Sequence, residues 1–222
     1  MWCVPNLSPE FIERMEDLLR LYAKPYNPQE PVLCFDEKSK QLIAETRPSR
    51  NTKAGTPRRK DYEYRRNGTR NIFVTTEPKG GHREVTVTAH RKRPDFAREI
   101  KRITELSRYE TADTIHIVLD NLNTHFVKSF LETYGKAETL KILSRIQFHY
   151  TPKHASWLNM AEIEIGILDR QSIRGRLPTE QKLVSQIQAW KKERNKHKAM
   201  VCWKFTVAEA RKKFNYAPTE LS

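Results

Sequence analysis

Apolar residues recur at helical spacing in several stretches of the chain. Over residues 8–23 they form one face of an amphipathic helix, which Ser8 can cap and in which Pro9 suits the first turn. Further helices are predicted from Pro94 onward, over 125–134, over 158–174 and over 179–198. A last helix is predicted to start at the capping box Thr206-x-x-Glu209.

Short apolar runs between these segments predict strands. The runs 32–35, 115–119 and 146–150 are typical of buried strands, and 41–45 is a candidate hairpin partner for the first. Residues 71–76 and 83–89 flank a Gly-Gly turn and predict a second hairpin. The order of strands and helices indicates an α/β fold, a mixed sheet covered by helices.

Charge changes the picture from a generic fold to a basic one. The 222 residues include 41 Lys and Arg against 27 Asp and Glu, a net charge of +14. Basic side chains release counterions from a phosphate backbone, so nucleic acid is the expected partner. The alternative is a basic soluble protein without such a partner. Hydrophobic residues make up 37% of the chain, enough for a packed core.

The positive charge is concentrated in residues 47–70, where nine Lys and Arg face two acidic residues. Pro and Gly interrupt this stretch, which predicts a long basic loop, and its interleaved tyrosines suit contact with nucleic acid. A solvated loop without a partner is the alternative reading. The candidate DNA contacts here are Arg58, Arg59, Lys60, Arg65 and Arg66.

Several classes of protein are disfavoured. The three cysteines are odd in number and far apart, which argues against a disulfide framework and a structural zinc site. The first residues do not resemble a signal peptide, and no apolar run has membrane-spanning length. We therefore expect a soluble protein of the cytoplasm.

Two of the predicted strands end on a carboxylate, at Asp36 and at Asp120. Functional residues of α/β sheets gather at the carboxyl ends of the strands, so the two acids are expected to meet at one edge. An acid beside a core strand needs a partner, which can be Arg, Lys or a divalent metal ion. Two further acids, Glu162 and Glu164, lie in a predicted apolar helix about half a turn apart, so they cannot face the same site.

Three segments of the chain resemble the catalytic blocks of mariner-like DDE transposases, closest to the bacterial insertion-sequence branch. They are Cys34–Ser39, Leu119–His125 and Tyr150–Glu162. The resemblance covers about residues 30–175 and implies a ribonuclease-H-like mixed sheet flanked by helices, with extra C-terminal helices. It also implies that Asp36, Asp120 and Glu162 are the catalytic residues and the ligands of Mg²⁺, with Mn²⁺ as a possible substitute.

The same resemblance implies cleavage and strand transfer on DNA, with element ends and target as partners, a homodimer and a location with the bacterial nucleoid. The third acid of the family follows an asparagine by three positions, which selects Glu162 after Asn159 over Glu164. His154 and Trp157, in the third block, are candidate DNA contacts. One departure is the 41 residues between Asp120 and Glu162, a spacing longer than usual. The extra length is expected in 134–145.

The predicted organisation is an N-terminal helix and linker over 1–30, a catalytic core over 31–175 and C-terminal helices over 176–222. Family members carry helix-turn-helix domains before the core, and none is recognised here. One alternative is therefore an inactive or truncated remnant that binds DNA non-specifically. Another nuclease of the same fold is a third reading. His125 and His149 are read as satisfied structural residues.

Overall fold

The computed structural model describes residues 7–47, 55 and 62–217. The helices are α1 (Pro9–Ala23), α2 (Arg93–Thr104), α3 (Val127–Leu143), α4 (Met160–Gln171), α5 (Glu180–Lys196) and α6 (Val207–Phe214). The strands are β1 (Val32–Glu45), β2 (Tyr64–Glu77), β3 (His82–Thr88), β4 (Ile115–Leu119) and β5 (Ile146–Tyr150). No helix among the described residues is long and apolar enough to cross a lipid bilayer.

The five strands form one mixed sheet in the order β3-β2-β1-β4-β5. The three long strands make an antiparallel meander, and β4 and β5 then add parallel to β1. Cys34 on β1 lies opposite Val118 on β4. The predicted α/β class, with a mixed sheet between helices, is confirmed.

Side chains of each strand alternate between two apolar layers. Leu33, Phe35 and Ile117 point into the layer formed with α2 and α3. Cys34 and Val118 point to the opposite face, where α1 and the C-terminal segment cover them. On that same face, α4 and α5 pack over β2 and β3.

Helix α1 begins as predicted, with Ser8 accepting a hydrogen bond from the amide of Phe11. A buried polar chain attaches it to the sheet as well as apolar contacts. Asp17 on α1 lies 2.6 Å from Nδ1 of His149, whose Nε2 lies 2.9 Å from Nδ1 of His116. His149, at 5% exposure, is thus part of the structural contact between α1 and the sheet.

The sequence-based boundaries of the first hairpin were wrong. β1 does not end at Asp36, and 41–45 does not fold back on 32–35; the strand continues to Glu45 and pairs with β2. Polar residues can extend this strand because its outer half is only partly covered. The stretch Tyr64–Arg70, predicted as loop, is the partner strand, whereas 48–54 and 56–61 lie outside the described residues.

The additional residues between the second and third acids are helical. The prediction ended the helix at residue 134, but α3 runs on to Leu143 across a break at Gly135, whose φ is 72°. The left-handed backbone of Gly135 interrupts the helix without ending it. The long spacing between Asp120 and Glu162 is therefore taken up outside the sheet.

Candidate active site

The parallel pairing of β1 and β4 brings Asp36 and Asp120 to one edge of the sheet. Cys34 lies opposite Val118, and each acid follows two residues later on its strand. Asp36 lies in the middle of β1, at the point where β4 ends, and Asp120 directly follows β4. The expected meeting of the two acids at the carboxyl end of β4 is explained by this register.

Asn159 fixes the start of α4 beside Asp36. Its side-chain amide donates to the carbonyl of Phe35 at 2.8 Å, and its oxygen caps the helix by accepting from the amide of Ala161. Glu162 lies in the first turn of α4 and is exposed. The helix is therefore anchored next to Asp36, with Glu162 one turn from the anchor.

The electrostatics of Asp36 reflect this crowding of acids. Burial raises the pKa of Asp36, a hydrogen bond from the amide of Glu37 lowers it, and the charges of Asp120, Glu37 and Glu162 raise it further, to about 7. All three acids predicted from the sequence thus lie within electrostatic reach of one another. A cation placed among them would relieve the repulsion.

We expect Asp36→Asn to stabilise the metal-free protein at pH 8 by about 1–3 kcal/mol. The folded-state pKa of Asp36 lies above its usual 3.8, so the wild type loses stability as pH rises from about 4 to about 7. Asparagine carries no charge and removes that loss, whereas at pH 4 the two proteins should be equally stable. Urea denaturation with a chelator at both pH values tests this, and a stability difference independent of pH would contradict it.

Glu164, the competitor of Glu162, points into the protein. Its side chain is fully buried, and Oε1 accepts hydrogen bonds from Arg83 at 2.7 Å and Arg194 at 2.6 Å. Arg83 is itself fully buried on β3, and Arg194 comes from α5. Glu164 is thus engaged in an ion cluster that joins α4, β3 and α5.

His125 lies between two acids of the site. Its Nδ1 is 2.7 Å from Oδ1 of Asp120, and its Nε2 is 3.2 Å from Oε2 of Glu37, an ion-pair distance without the alignment of a hydrogen bond. Burial lowers the pKa of His125, but the contacts with Asp120 and Glu37 outweigh it and raise the pKa to about 9. The imidazole is therefore positively charged at neutral pH.

A groove of about 530 Å³ opens beside Asn121, the residue that follows Asp120. It lies between the first half of α1 and the loop after β5. Its cationic lining comes from Arg14, Lys153 and His154. Arg14 donates to the side-chain oxygen of Asn121 at 2.7 Å, which links α1 to the edge of the sheet. His154, a predicted DNA contact, thus faces open space near the acids.

The other predicted DNA contacts are dispersed. Trp157 is half-buried and stacks on Trp203, with ring centroids 6.3 Å apart. Arg65 and Arg66 are exposed on the outer half of β2. The run Arg58-Arg59-Lys60 lies outside the described residues. The role of each in DNA binding stays a prediction.

The donor chemistry at this edge suits a hard divalent cation. Carboxylate oxygens are the preferred ligands of Mg²⁺, which keeps several waters and needs few protein ligands. The raised pKa of Asp36 shows uncompensated negative charge where Asp36, Asp120 and Glu162 approach one another. Among the described residues, no three His, Cys, Asp or Glu side chains converge closely enough to enclose a metal ion. The residues fit an open site of carboxylates rather than a closed cage.

Sequence reasoning overlooked three side chains that shape this edge. Glu37 and His125 were not given a function, and Asn159 served only to set the register of Glu162. All three lie within the blocks that carried the resemblance, each near one of the acids. The signal was therefore present in the sequence, but it could not show that His125 and Glu37 meet.

A family model described as DDE superfamily endonuclease matches residues 31–184. No curated protein matches the sequence. Among solved structures, the Mos1 mariner paired end complex with Mn is similar at 15% identity and TM-score 0.57, over 90% of this chain and 62% of that chain. The Mos1 strand transfer complex is similar at 13% identity and TM-score 0.54, over 90% of this chain and 61% of that chain.

The chain thus spans about three fifths of the length of the Mos1 transposase chains that it matches. At such low identity the similarity shows the fold, and it confirms the expected ribonuclease-H-like arrangement of transposase catalytic domains. The matched family model covers all three blocks with their acids. The chain therefore belongs to the DDE superfamily endonucleases.

Proposed function

We propose that this chain is the catalytic part of a transposase, which cuts DNA and joins the freed strand to a target by phosphodiester exchange. The observation that carries the proposal is the convergence of Asp36, Asp120 and Glu162, whose charges act together on the pKa of Asp36. The family match and the likeness to Mos1 paired-end and strand-transfer complexes support it.

In this proposal Asp36, Asp120 and Glu162 hold divalent metal ions. Bound metal ions activate an oxygen nucleophile and stabilise the leaving oxygen of the phosphodiester. The chain's own residues orient the reacting groups. Asn159 ties the helix of Glu162 to β1, and His125 contacts the carboxylate of Asp120. Water attacks first to free a 3′-hydroxyl, and that hydroxyl then attacks target DNA.

The DNA strand is proposed to pass through the groove beside Asn121. Arg14, Lys153 and His154 supply positive charge there, next to the acids. The net charge of +14 supports a polyanionic partner, and phosphate contacts of this kind bind without regard to sequence. Arg65, Arg66 and Trp157, with Arg58, Arg59 and Lys60, are further proposed contacts.

Several finer properties belong to the same proposal. We infer Mg²⁺ as the preferred metal, with Mn²⁺ as substitute, and a homodimer that joins two element ends. Membership of the bacterial insertion-sequence branch and a location at the nucleoid in the cytoplasm rest on the resemblance of the three blocks. The division at 31–175 into core and flanking helices is part of the same inference. An inactive remnant is less favoured, since all three acids are retained in one place.

The test is cleavage of plasmid and of element-end duplex DNA with Mg²⁺ or Mn²⁺, by the wild type and by Asp120→Ala. We expect cleavage by the wild type that a chelator abolishes, and a loss of about 10³-fold in the variant, because metal ions supply several kcal/mol of transition-state stabilisation. DNA binding by both proteins should weaken steeply as salt rises. Binding without cleavage by the wild type would favour the inactive remnant, and cleavage that survives the substitution would refute the site.

A further inference from the structure

We propose that His125 and Glu37 are positioning residues, which hold the Asp120 carboxylate in the orientation that receives a metal ion. The inference rests on the proposed function, because it concerns side chains around a proposed ligand. Neither residue is proposed to touch the metal or the DNA. They act through Asp120.

The contacts form a line from Asp120 to Glu37. Nδ1 of His125 lies 2.7 Å from Oδ1 of Asp120, and Nε2 lies 3.2 Å from Oε2 of Glu37. The amide of Leu122 also donates to Oδ1 of Asp120, at 3.2 Å. Both contacts use the same oxygen, so within the described part of the chain Oδ2 keeps its lone pairs for a ligand.

The imidazole has little freedom to turn. Its side chain is 1% exposed and packs against the rings of Phe96 and Phe35, with centroids 4.6 and 5.7 Å away. The hydroxyl of Tyr150 donates to the backbone carbonyl of His125 at 2.8 Å. A ring fixed by three elements can impose one orientation on a carboxylate that is itself one-third exposed.

Glu37 has a different position from its neighbour Asp36. Successive side chains of a strand point to opposite faces, so Glu37 lies on the α2 and α3 side while Asp36 faces α4. Its side chain is 2% exposed, and Arg91 lies 3.7 Å from its other oxygen. A buried carboxylate is costly unless it is paired, and here the pairing fixes the far nitrogen of His125. The two neighbouring acids are therefore assigned different tasks.

Outer contacts of this kind matter in metal sites because they set the direction of the ligand's lone pairs. Loss of such a partner lowers metal affinity by about 10–100-fold. His125→Ala should therefore weaken metal binding without removing any proposed ligand. A purely structural histidine would change stability but not the affinity of the folded protein for metal.

Two amide variants separate the two contacts. The side-chain nitrogen of asparagine can take the place of Nδ1 and donate to Asp120 but does not reach Glu37. That of glutamine can take the place of Nε2 and reach Glu37 but not Asp120. We would measure Mn²⁺ binding to the full chain by electron paramagnetic resonance, without DNA and under conditions where each variant is folded.

We expect His125→Ala and His125→Gln to bind Mn²⁺ about 10–100-fold more weakly, and His125→Asn to recover most of the affinity. Glu37→Gln, which keeps the volume, should show a smaller loss and serves if His125→Ala does not fold. His149→Asn disrupts another buried His–Asp contact, on the α1 face, and should bind like the wild type.

Equal affinities of the Asn and Gln variants, or wild-type affinity in His125→Ala, would overturn the positioning role alone. Mn²⁺ binding that is unaffected in Asp120→Asn would instead refute Asp120 as a ligand, and with it the inference. The dependence of cleavage on metal concentration should follow the binding order, with the loss in His125→Ala reduced at saturating Mn²⁺.

Discussion

Glu162→Gln should reduce strand cleavage by about 10³-fold, because it removes a carboxylate that helps to hold ions worth several kcal/mol in the transition state. Glu162 is exposed in the first turn of α4, and its charge contributes to the raised pKa of Asp36. The amide keeps the size of the side chain. Single-turnover cleavage of element-end DNA with Mn²⁺ measures the effect, and circular dichroism checks that the variant is folded.

The matched control is Glu164→Gln, two residues along the same helix. Glu164 is buried between Arg83 and Arg194, so its substitution should lower stability but leave cleavage per folded molecule nearly unchanged. The reverse pattern, with cleavage lost in Glu164→Gln and kept in Glu162→Gln, would transfer the catalytic role to Glu164.

Glu164→Ala should lower the free energy of unfolding by about 3–5 kcal/mol, since breaking a buried pair leaves an uncompensated charge. The charge left behind is the guanidinium of Arg83, which is fully buried. Chemical denaturation at neutral pH, without metal, measures the loss. Glu162→Ala is the control on the same helix and should change stability by less than about 1 kcal/mol, because its side chain is exposed.

A double variant distinguishes the lost ion pair from lost packing. Arg83→Met combined with Glu164→Met removes both buried charges, while Arg194 is 22% exposed and can turn toward solvent. Apolar replacement of a buried ion pair is often neutral, so the double variant should be more stable than either single one. Additive losses would show that the arginine and the glutamate act independently.

Much of the fold could be predicted because local patterns decide it. The buried strands β3, β4 and β5 and the start of α1 were predicted closely, since apolar runs and a capping serine are short-range signals. The continuation of β1 past Asp36 could not be predicted in this way. Its outer half is polar and is stabilised by pairing with β2, whose first seven residues are equally polar.

The candidate site shows the same division. The sequence by itself determined the three acids, their order and the basic charge of the protein, because these are properties of residue type and spacing. Between Glu162 and Glu164 it offered only a register, whereas burial against Arg83 engages one and leaves the other exposed. The contact of His125 with Asp120 and Glu37 joins residues 88 positions apart on neighbouring strands and their loop. Only tertiary packing decides such a contact, because the energy of a buried ion pair depends on which side chains surround it and not on their distance along the chain.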